Sequence, residues 1–137
     1  MDVQPLNALE SAINEARTGL RPMQEALGAF MVADIAVPSG SEVRRDGSGM
    51  QPLVFEGEAG PMLACFSDMN RIGAYAQMAP FCLVLKGEDL VARMPPELGL
   101  VVNPGLDWGF QLPPDGVKQL RDDAAEKRAK DAAQATP

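Results

Sequence analysis

The segment Leu100-Val101-Val102-Asn103-Pro104-Gly105-Leu106 constrains the fold more than any other part of the sequence. The consecutive apolar residues at its start predict a short buried strand over Leu100–Val102. In the turn that follows, Pro104 presets the backbone φ angle, and Gly105 accepts the positive φ that the third position of a type II turn requires. The chain should therefore reverse sharply directly after this strand.

The residues after this turn predict a second strand and a closing helix. Apolar Trp108, Phe110 and Leu112 alternate with Gly109 and Gln111, which indicates a half-buried strand. A last helix should then open at Pro113-Pro114-Asp115 and continue into a charged, alanine-rich segment. We therefore expect one domain over residues 1–125, and a solvated or frayed C-terminal tail over residues 126–137.

Toward the N-terminus, the spacing of apolar residues changes from helical to strand-like. A first helix is predicted over Asn7–Thr18, with Asn7 as its cap and Glu10 in a capping-box position. A second, short helix should begin at Pro22 and end near Phe30. The next segment alternates over Ala33–Val37 as a strand that Pro38 should stop.

The middle of the chain predicts a hairpin, a crossover helix and a buried strand. Leu53–Phe55 and Met62–Phe66 flank a turn-forming segment. A helix capped by Ser67 should follow. The segment Phe81–Leu85 is predicted to form a strand that is covered on both faces. A short helix is predicted after it, over Glu88–Met94. The fold class is therefore α+β (or α/β): a mixed sheet of five or six strands with a β-hairpin, a crossover helix and covering helices.

Composition and charge restrict the protein class. The chain has 137 residues, 46% hydrophobic and 23% charged, which is typical of a single globular domain. Its apolar runs fall short of the roughly 20 residues that span a bilayer. The net charge of −7 disfavours nucleic acid and anionic membrane surfaces as partners. The N-terminus carries no secretory signal pattern, so a cytoplasmic location is expected.

The chain lacks the residues that most catalytic and metal sites require. It contains no histidine, which removes the Ser-His and Cys-His nucleophile pairs and the common zinc ligand sets. We expect no metal, because no EF-hand pattern occurs, and no cofactor. Three carboxylate pairs could act as acid and base, although each fits a structural or solubility role better: Glu56 with Glu58, Glu88 with Asp89, and Asp122 with Asp123.

Both cysteines and four of the methionines are predicted to lie in the hydrophobic core. Cys65 and Cys82 lie in apolar runs and are expected to be buried free thiols, with a redox pair between adjacent strands as the alternative. The chain has eight methionines. Four of them fall on faces predicted to be core, although an adaptable binding surface would use the same residue type: Met23, Met62, Met69 and Met78.

One local cluster is a candidate binding surface: Asn103, Pro104, Gly105 and Trp108. Trp108 is the only tryptophan, and tryptophan is enriched where protein partners meet. The alternative is architectural, because Trp108 shares a strand face with Phe110 and Leu112, and Asn103 can secure its own turn.

The chain resembles a known family in the order of its motifs. An N-terminal helix precedes Ile35-Ala36-Val37-Pro38, a hairpin, Phe66-Ser67-Asp68, Leu100 to Gly105 and Leu112-Pro113-Pro114. This order over roughly Leu6 to Leu120 is similar to the SseB N-terminal domain. The resemblance implies a compact bacterial α/β-type domain with no established biochemical activity and no catalytic residues to carry over.

These observations favour a non-enzymatic binding or regulatory module that acts through protein–protein contacts, with a protein partner or self-association. Two alternatives stay open: an unrecognised enzyme that uses carboxylates in a small pocket, and a homo-oligomeric structural subunit.

Overall fold

A computed structural model describes residues 5, 7–44, 46, 48–57, 60–105 and 108–135. Within them, helices and strands follow one another in the order α1 (Ala8–Arg17), α2 (Met23–Val32), β1 (Asp34–Ser39), β2 (Val54–Gly57), β3 (Gly60–Cys65), two 3-10 segments (Met69–Arg71 and Gly73–Gln77), β4 (Phe81–Lys86), α3 (Gly87–Arg93), β5 (Gly99–Val102), β6 (Phe110–Leu112) and α4 (Pro114–Ala135). The α+β class is confirmed.

The strands form two sheets, so the prediction of one sheet of five or six strands is wrong. β1 and β4 pair antiparallel as a two-stranded sheet, and the other sheet has the order β2-β3-β5-β6. In the second sheet, the predicted hairpin of β2 and β3 is antiparallel, β3 and β5 are parallel, and β5 and β6 are antiparallel. The two sheets meet at single bridges, Ala36 to Phe66 and Ser39 to Pro52, which are too few to merge them.

The predicted crossover unit between Met62–Phe66 and Phe81–Leu85 is also wrong. The parallel partner of β3 is β5, whereas β4 pairs with β1 in the register Asp34 to Lys86. β4 is not covered on both faces either, since Phe81 and Val84 are 42% and 47% exposed. Its apolar run therefore belongs to an outer strand.

Pro38 does not stop β1, contrary to expectation. Ala36 exchanges both of its backbone hydrogen bonds with Phe66, at 2.9 and 2.8 Å, so its N–H and C=O point away from β4. The direction of the backbone N–H and C=O groups alternates from one residue of a strand to the next. The backbone groups of Pro38 therefore also point away from β4, although Pro38 lies opposite Cys82. The N–H that proline lacks is not needed for pairing with β4.

The helix predicted after Ser67 is replaced by the two 3-10 segments. Asp68 rather than Ser67 caps the first of them, and its carboxylate accepts from the backbone N–H of Asn70. Gly73 then has a φ of +55°, a left-handed conformation that interrupts a right-handed helix. One continuous α-helix cannot form across this residue.

The main core lies between the helices and one face of the strands. It contains fully buried residues from α1, α2, α3, α4, β1, β3 and β5, among them Ile13, Phe30, Ile35, Val91, Leu100 and Val117. A smaller cluster of Ala36, Phe66 and Ile72 packs with Tyr75 and Cys82.

Three of the four methionines predicted to be core are exposed. Met62 is buried at 4% exposure, but Met23, Met69 and Met78 are exposed.

No helix among the described residues combines the length and apolar character needed to cross a bilayer. α4 continues through the segment predicted as a tail, and Arg128 on it lies 3.6 Å from Glu88 and 3.9 Å from Asp89 of α3.

Candidate functional site

A buried polar network occupies the carboxyl end of the parallel pair β3 and β5. These strands end side by side, with Cys65 opposite Val102. The next backbone N–H, that of Asn103, donates to the carbonyl of Cys65 at 2.8 Å. Side chains that follow the two strands therefore meet. Together with Glu10 of α1 they form a cluster that we call the Glu10 network: Glu10, Ser67, Arg71, Asn103 and Trp108.

Glu10 is the centre of this network and is fully buried. Nε and Nη2 of Arg71 donate to its two carboxylate oxygens, at 2.9 and 2.7 Å. The hydroxyl of Ser67 donates to Oε2 at 2.6 Å. A buried carboxylate is stable only when it is paired and hydrogen-bonded, and Glu10 meets both conditions.

Asn103 connects the network to the turn after β5. Its Oδ1 accepts from the backbone N–H of Ser67 at 2.9 Å, and its Nδ2 donates to Oγ of Ser67 at 2.9 Å and to the carbonyl of Trp108 at 3.0 Å. Its φ is +54°, a conformation that asparagine tolerates better than most residues. Asn103 thus fixes both ends of the turn.

Asn7 joins the start of α1 to the same network. Its Oδ1 accepts from the backbone N–H of Glu10 at 2.9 Å, which confirms the predicted cap. Its Nδ2 donates to the carbonyl of Ser67 at 2.8 Å. The cap residue therefore orients α1 so that Glu10 points into the network.

Arg71 closes the network on its outer side. Its guanidinium carbon lies 5.3 Å from the centroid of the Trp108 ring, within cation–π range. The hydrogen bond to Glu10 raises the pKa of Arg71, so the arginine stays charged. Trp108 also packs against the main core.

The structure brings two of the predicted site residues, Asn103 and Trp108, into this network. Pro104 is half-buried beside them, and Gly105 is exposed with a φ of +81°, the positive angle predicted for it. Leu106 of the predicted turn lies outside the described residues.

Glu10, Ser67 and Arg71 were not predicted from the sequence as members of a site. One signal was present for Glu10, which stands one turn before Ile13 on the apolar stripe of α1. A charged residue on such a stripe needs a partner. Nothing local in the sequence identifies Arg71 as that partner, because it is 61 positions away.

A cleft of about 750 Å³ also borders Ser67. We call it the β4 cleft. It is lined by residues from the start of α1, the end of α2, β1, the segment after β3, and β4: Asn7, Ala8, Leu9, Ala29, Val32, Ala33, Asp34, Ala36, Ser67, Asp68, Met69, Asn70, Val84 and Lys86. Three of its apolar side chains, Val32, Met69 and Val84, are exposed.

The charged residues of the β4 cleft have structural partners. Lys86 Nζ lies 2.9 Å from a carboxylate oxygen of Asp34 across the β1–β4 pair. Asp68 caps the first 3-10 segment through Asn70. The cleft therefore offers solvent mainly apolar side chains between these polar groups.

The carboxylate pairs proposed from the sequence lie on the surface. Glu88 and Asp89 lie near Arg128, and Asp122 pairs with Lys118 at 3.0 Å. Glu56 is exposed on β2, and its proposed partner Glu58 lies outside the described residues. No group of three or more acidic or cysteine side chains that could hold a metal ion occurs in the described part of the chain.

The two cysteines are free and lie in different clusters. Cys65 is completely buried in the main core, whereas Cys82 is partly buried with Phe66 and Tyr75. Burial raises the pKa of both thiols. This arrangement agrees with packing thiols and gives no support to a redox pair.

Comparison with known proteins gives one family. The family model described as "SseB protein N-terminal domain" matches residues 9–119. No curated protein and no solved structure matches the chain.

Proposed function

The chain belongs to the SseB N-terminal domain family, and from this premise we propose that it is a non-enzymatic module that binds a protein partner in the β4 cleft. That family is not a recognised enzyme family.

The observation that carries the proposal is the apolar surface of the cleft. Val32 is 67% exposed and Met69 is 58% exposed, and both line the cleft together with Val84. Exposed apolar side chains that share one concave surface are typical of protein interaction sites. Methionine suits such a surface because its unbranched side chain adapts to different partners.

The burial and the hydrogen bonding of the Glu10 network support the proposal that the module is not an enzyme. A general acid or base must reach a substrate, but the Glu10 carboxylate is buried and holds Arg71 and Ser67. In the described part of the chain, every buried side-chain nitrogen and oxygen has a hydrogen-bond partner. These features favour a structural role for the network.

An enzyme is the second candidate, because Asp34 and Asp68 line the same cleft. Two carboxylates in one cleft could act as acid and base. Their contacts favour the binding proposal, since Asp34 is ion-paired with Lys86 and Asp68 caps the first 3-10 segment.

The segment from Asn103 to Trp108 is a second candidate contact surface. Gly105 is exposed, and Pro104 and Trp108 are half-buried beside it. Asn103 itself is 1% exposed, so its contribution would be to hold Pro104 and Trp108 in place.

The expected partner is a protein rather than nucleic acid or a membrane, because the net charge of −7 repels phosphate groups. The two free thiols support a reducing compartment such as the cytoplasm.

Site-specific photo-cross-linking in cells tests the proposal. p-Benzoylphenylalanine is placed at position 69 in the cleft, at position 104 in the second candidate surface, and at position 20 as control, where Leu20 is 81% exposed but does not line the cleft. We expect one discrete protein adduct from position 69 and none from position 20. An adduct from position 104 alone would move the site to the second surface, and an adduct with the chain's own mass would indicate self-association.

A further inference from the structure

The outer edge of β4 has backbone hydrogen-bonding groups that no described strand pairs with. Ala36 faces Phe66, so the opposed pair Ala36 and Val84 is not hydrogen-bonded. The N–H and C=O of Val84 therefore point away from β1, and by alternation so do those of Cys82 and Lys86. The bond from the N–H of Gly87 to the carbonyl of Ala33 at 3.1 Å agrees with this alternation.

The described residues place no strand along this edge. β4 pairs with β1 alone, and in the described part of the chain the outward groups of Cys82 and Val84 and the N–H of Lys86 have no backbone partner. The carbonyl of Lys86 is different, because Lys86 is the N-cap of α3 and its carbonyl accepts the first bond of that helix. The strand is six residues long, contains no proline and has one charged residue, Lys86 at its end. Free edges of such strands pair with other extended chains unless they are protected.

The edge adjoins the β4 cleft through Val84. The Val84 side chain is 47% exposed and lines the cleft, while its backbone groups point outward along the edge. An added strand would thus gain backbone hydrogen bonds and could place an apolar side chain near Val84.

Charge and size indicate the occupant of this edge. The chain carries a net charge of −7, and the adjoining cleft is lined by two acidic side chains, Asp34 and Asp68, and one cation, Lys86, which is paired with Asp34. A second copy would bring an equal negative charge, and strand pairing over about 20 Å alone is a small contact for a stable dimer. A basic extended segment of another protein has the complementary charge.

We propose that the outer edge of β4 binds an extended, basic segment of a partner protein by strand addition, with an apolar side chain of that segment over Val84. This inference rests on the proposed function, and it specifies how the partner is held.

The test compares two substitutions at one position. Val84→Pro removes the outward N–H and leaves the β1–β4 hydrogen bonds intact, whereas Val84→Thr keeps both the N–H and the side-chain shape. The probe is a labelled peptide of alternating lysine and valine, about eight residues long, with a glutamate-for-lysine peptide as control. Binding is measured by fluorescence anisotropy.

We expect saturable binding of the lysine peptide and weaker binding of the glutamate peptide. Val84→Pro should weaken the affinity by about tenfold or more, since a partner carbonyl would lose its donor, and Val84→Thr by less than about threefold. In the unsubstituted protein, the peptide should slow hydrogen exchange at the amides of Val84 and Lys86. This second measurement keeps the test valid if Val84→Pro does not fold.

Three results would overturn strand addition: no saturable peptide binding, equal affinities of Val84→Pro and Val84→Thr with no amide protection, or a dimer of the free protein that Val84→Pro dissociates in light scattering. If cross-linking from position 69 still captures a partner in any of these cases, the binding module stands and only its mode of binding is wrong.

Discussion

The Glu10 network and the β4 cleft both include Ser67, yet they differ in their access to solvent. In the network, Glu10, Ser67 and Asn103 are buried, Arg71 is only slightly exposed, and these side chains are bonded to each other. In the cleft, apolar side chains are exposed, and no described strand pairs with the adjacent outer edge of β4. The comparison indicates that a buried polar cluster serves the architecture of this domain, whereas a less polar surface is open to solvent, which is why we propose the partner site there.

The largest expected loss of folding stability comes from a substitution in the Glu10 network. Glu10→Gln removes the buried charge and leaves the Arg71 guanidinium, 14% exposed, without its anion. We expect the free energy of unfolding to fall by about 3 kcal/mol. Urea unfolding measures this change. The matched control is Glu88→Gln, which alters a surface pair and should change stability by less than about 0.5 kcal/mol.

Trp108→Ala is expected to lower folding stability by an intermediate amount. It removes a half-buried ring that packs against the core and under Arg71, so stability should fall by about 2 kcal/mol, below the range for a fully buried tryptophan. A melt with unchanged stability, combined with loss of the cross-link from position 104, would instead place Trp108 in the partner surface.

A pair of glycine substitutions should give effects of opposite sign. Gly105→Ala forces a side chain into a φ of +81° and should lower stability by about 1 kcal/mol. Gly28 lies inside α2 with nothing within 4 Å of an added Cβ, so Gly28→Ala should raise stability by about 0.5 kcal/mol. Equal shifts of the melting temperature in the two variants would contradict the positive φ of Gly105.

The smallest stability effect is expected in the cleft. Val84→Thr changes an exposed side chain and should alter the unfolding free energy by less than about 0.5 kcal/mol. A loss comparable to that of Glu10→Gln would show that the cleft is also architectural and would remove the contrast between the two regions.

Much of the fold could be predicted because local chemistry determines it. The cap at Asn7, the positive φ at Gly105 and the α+β class follow from residues close together in the sequence. Strand order depends on contacts between distant residues. The pairing of β3 with β5, for example, left no local signal that separated it from pairing with β4.

The candidate site was less predictable than the fold. Asn103 and Trp108 could be selected from their turn, but Glu10 and Arg71 form their pair across 61 positions. The exposure of Met69 and Val84 was also missed, because an apolar residue in a helical or strand-like pattern is expected to be buried. The β4 cleft is composed of such exceptions.

Pro38 has a consequence for how the chain selects its strand partners during folding. If β1 continued along β3 from its bridge at Ala36 and Phe66, Pro38 would lie opposite Ala64. The N–H of Ala64 instead donates to the carbonyl of Leu53 at 2.8 Å, so the segment leading into β2 occupies that position. Two segments thus compete for one edge of β3, and the missing donor of Pro38 weakens the first competitor. A proline inside a strand thus disfavours one alternative pairing of the sheet without weakening the pairing with β4.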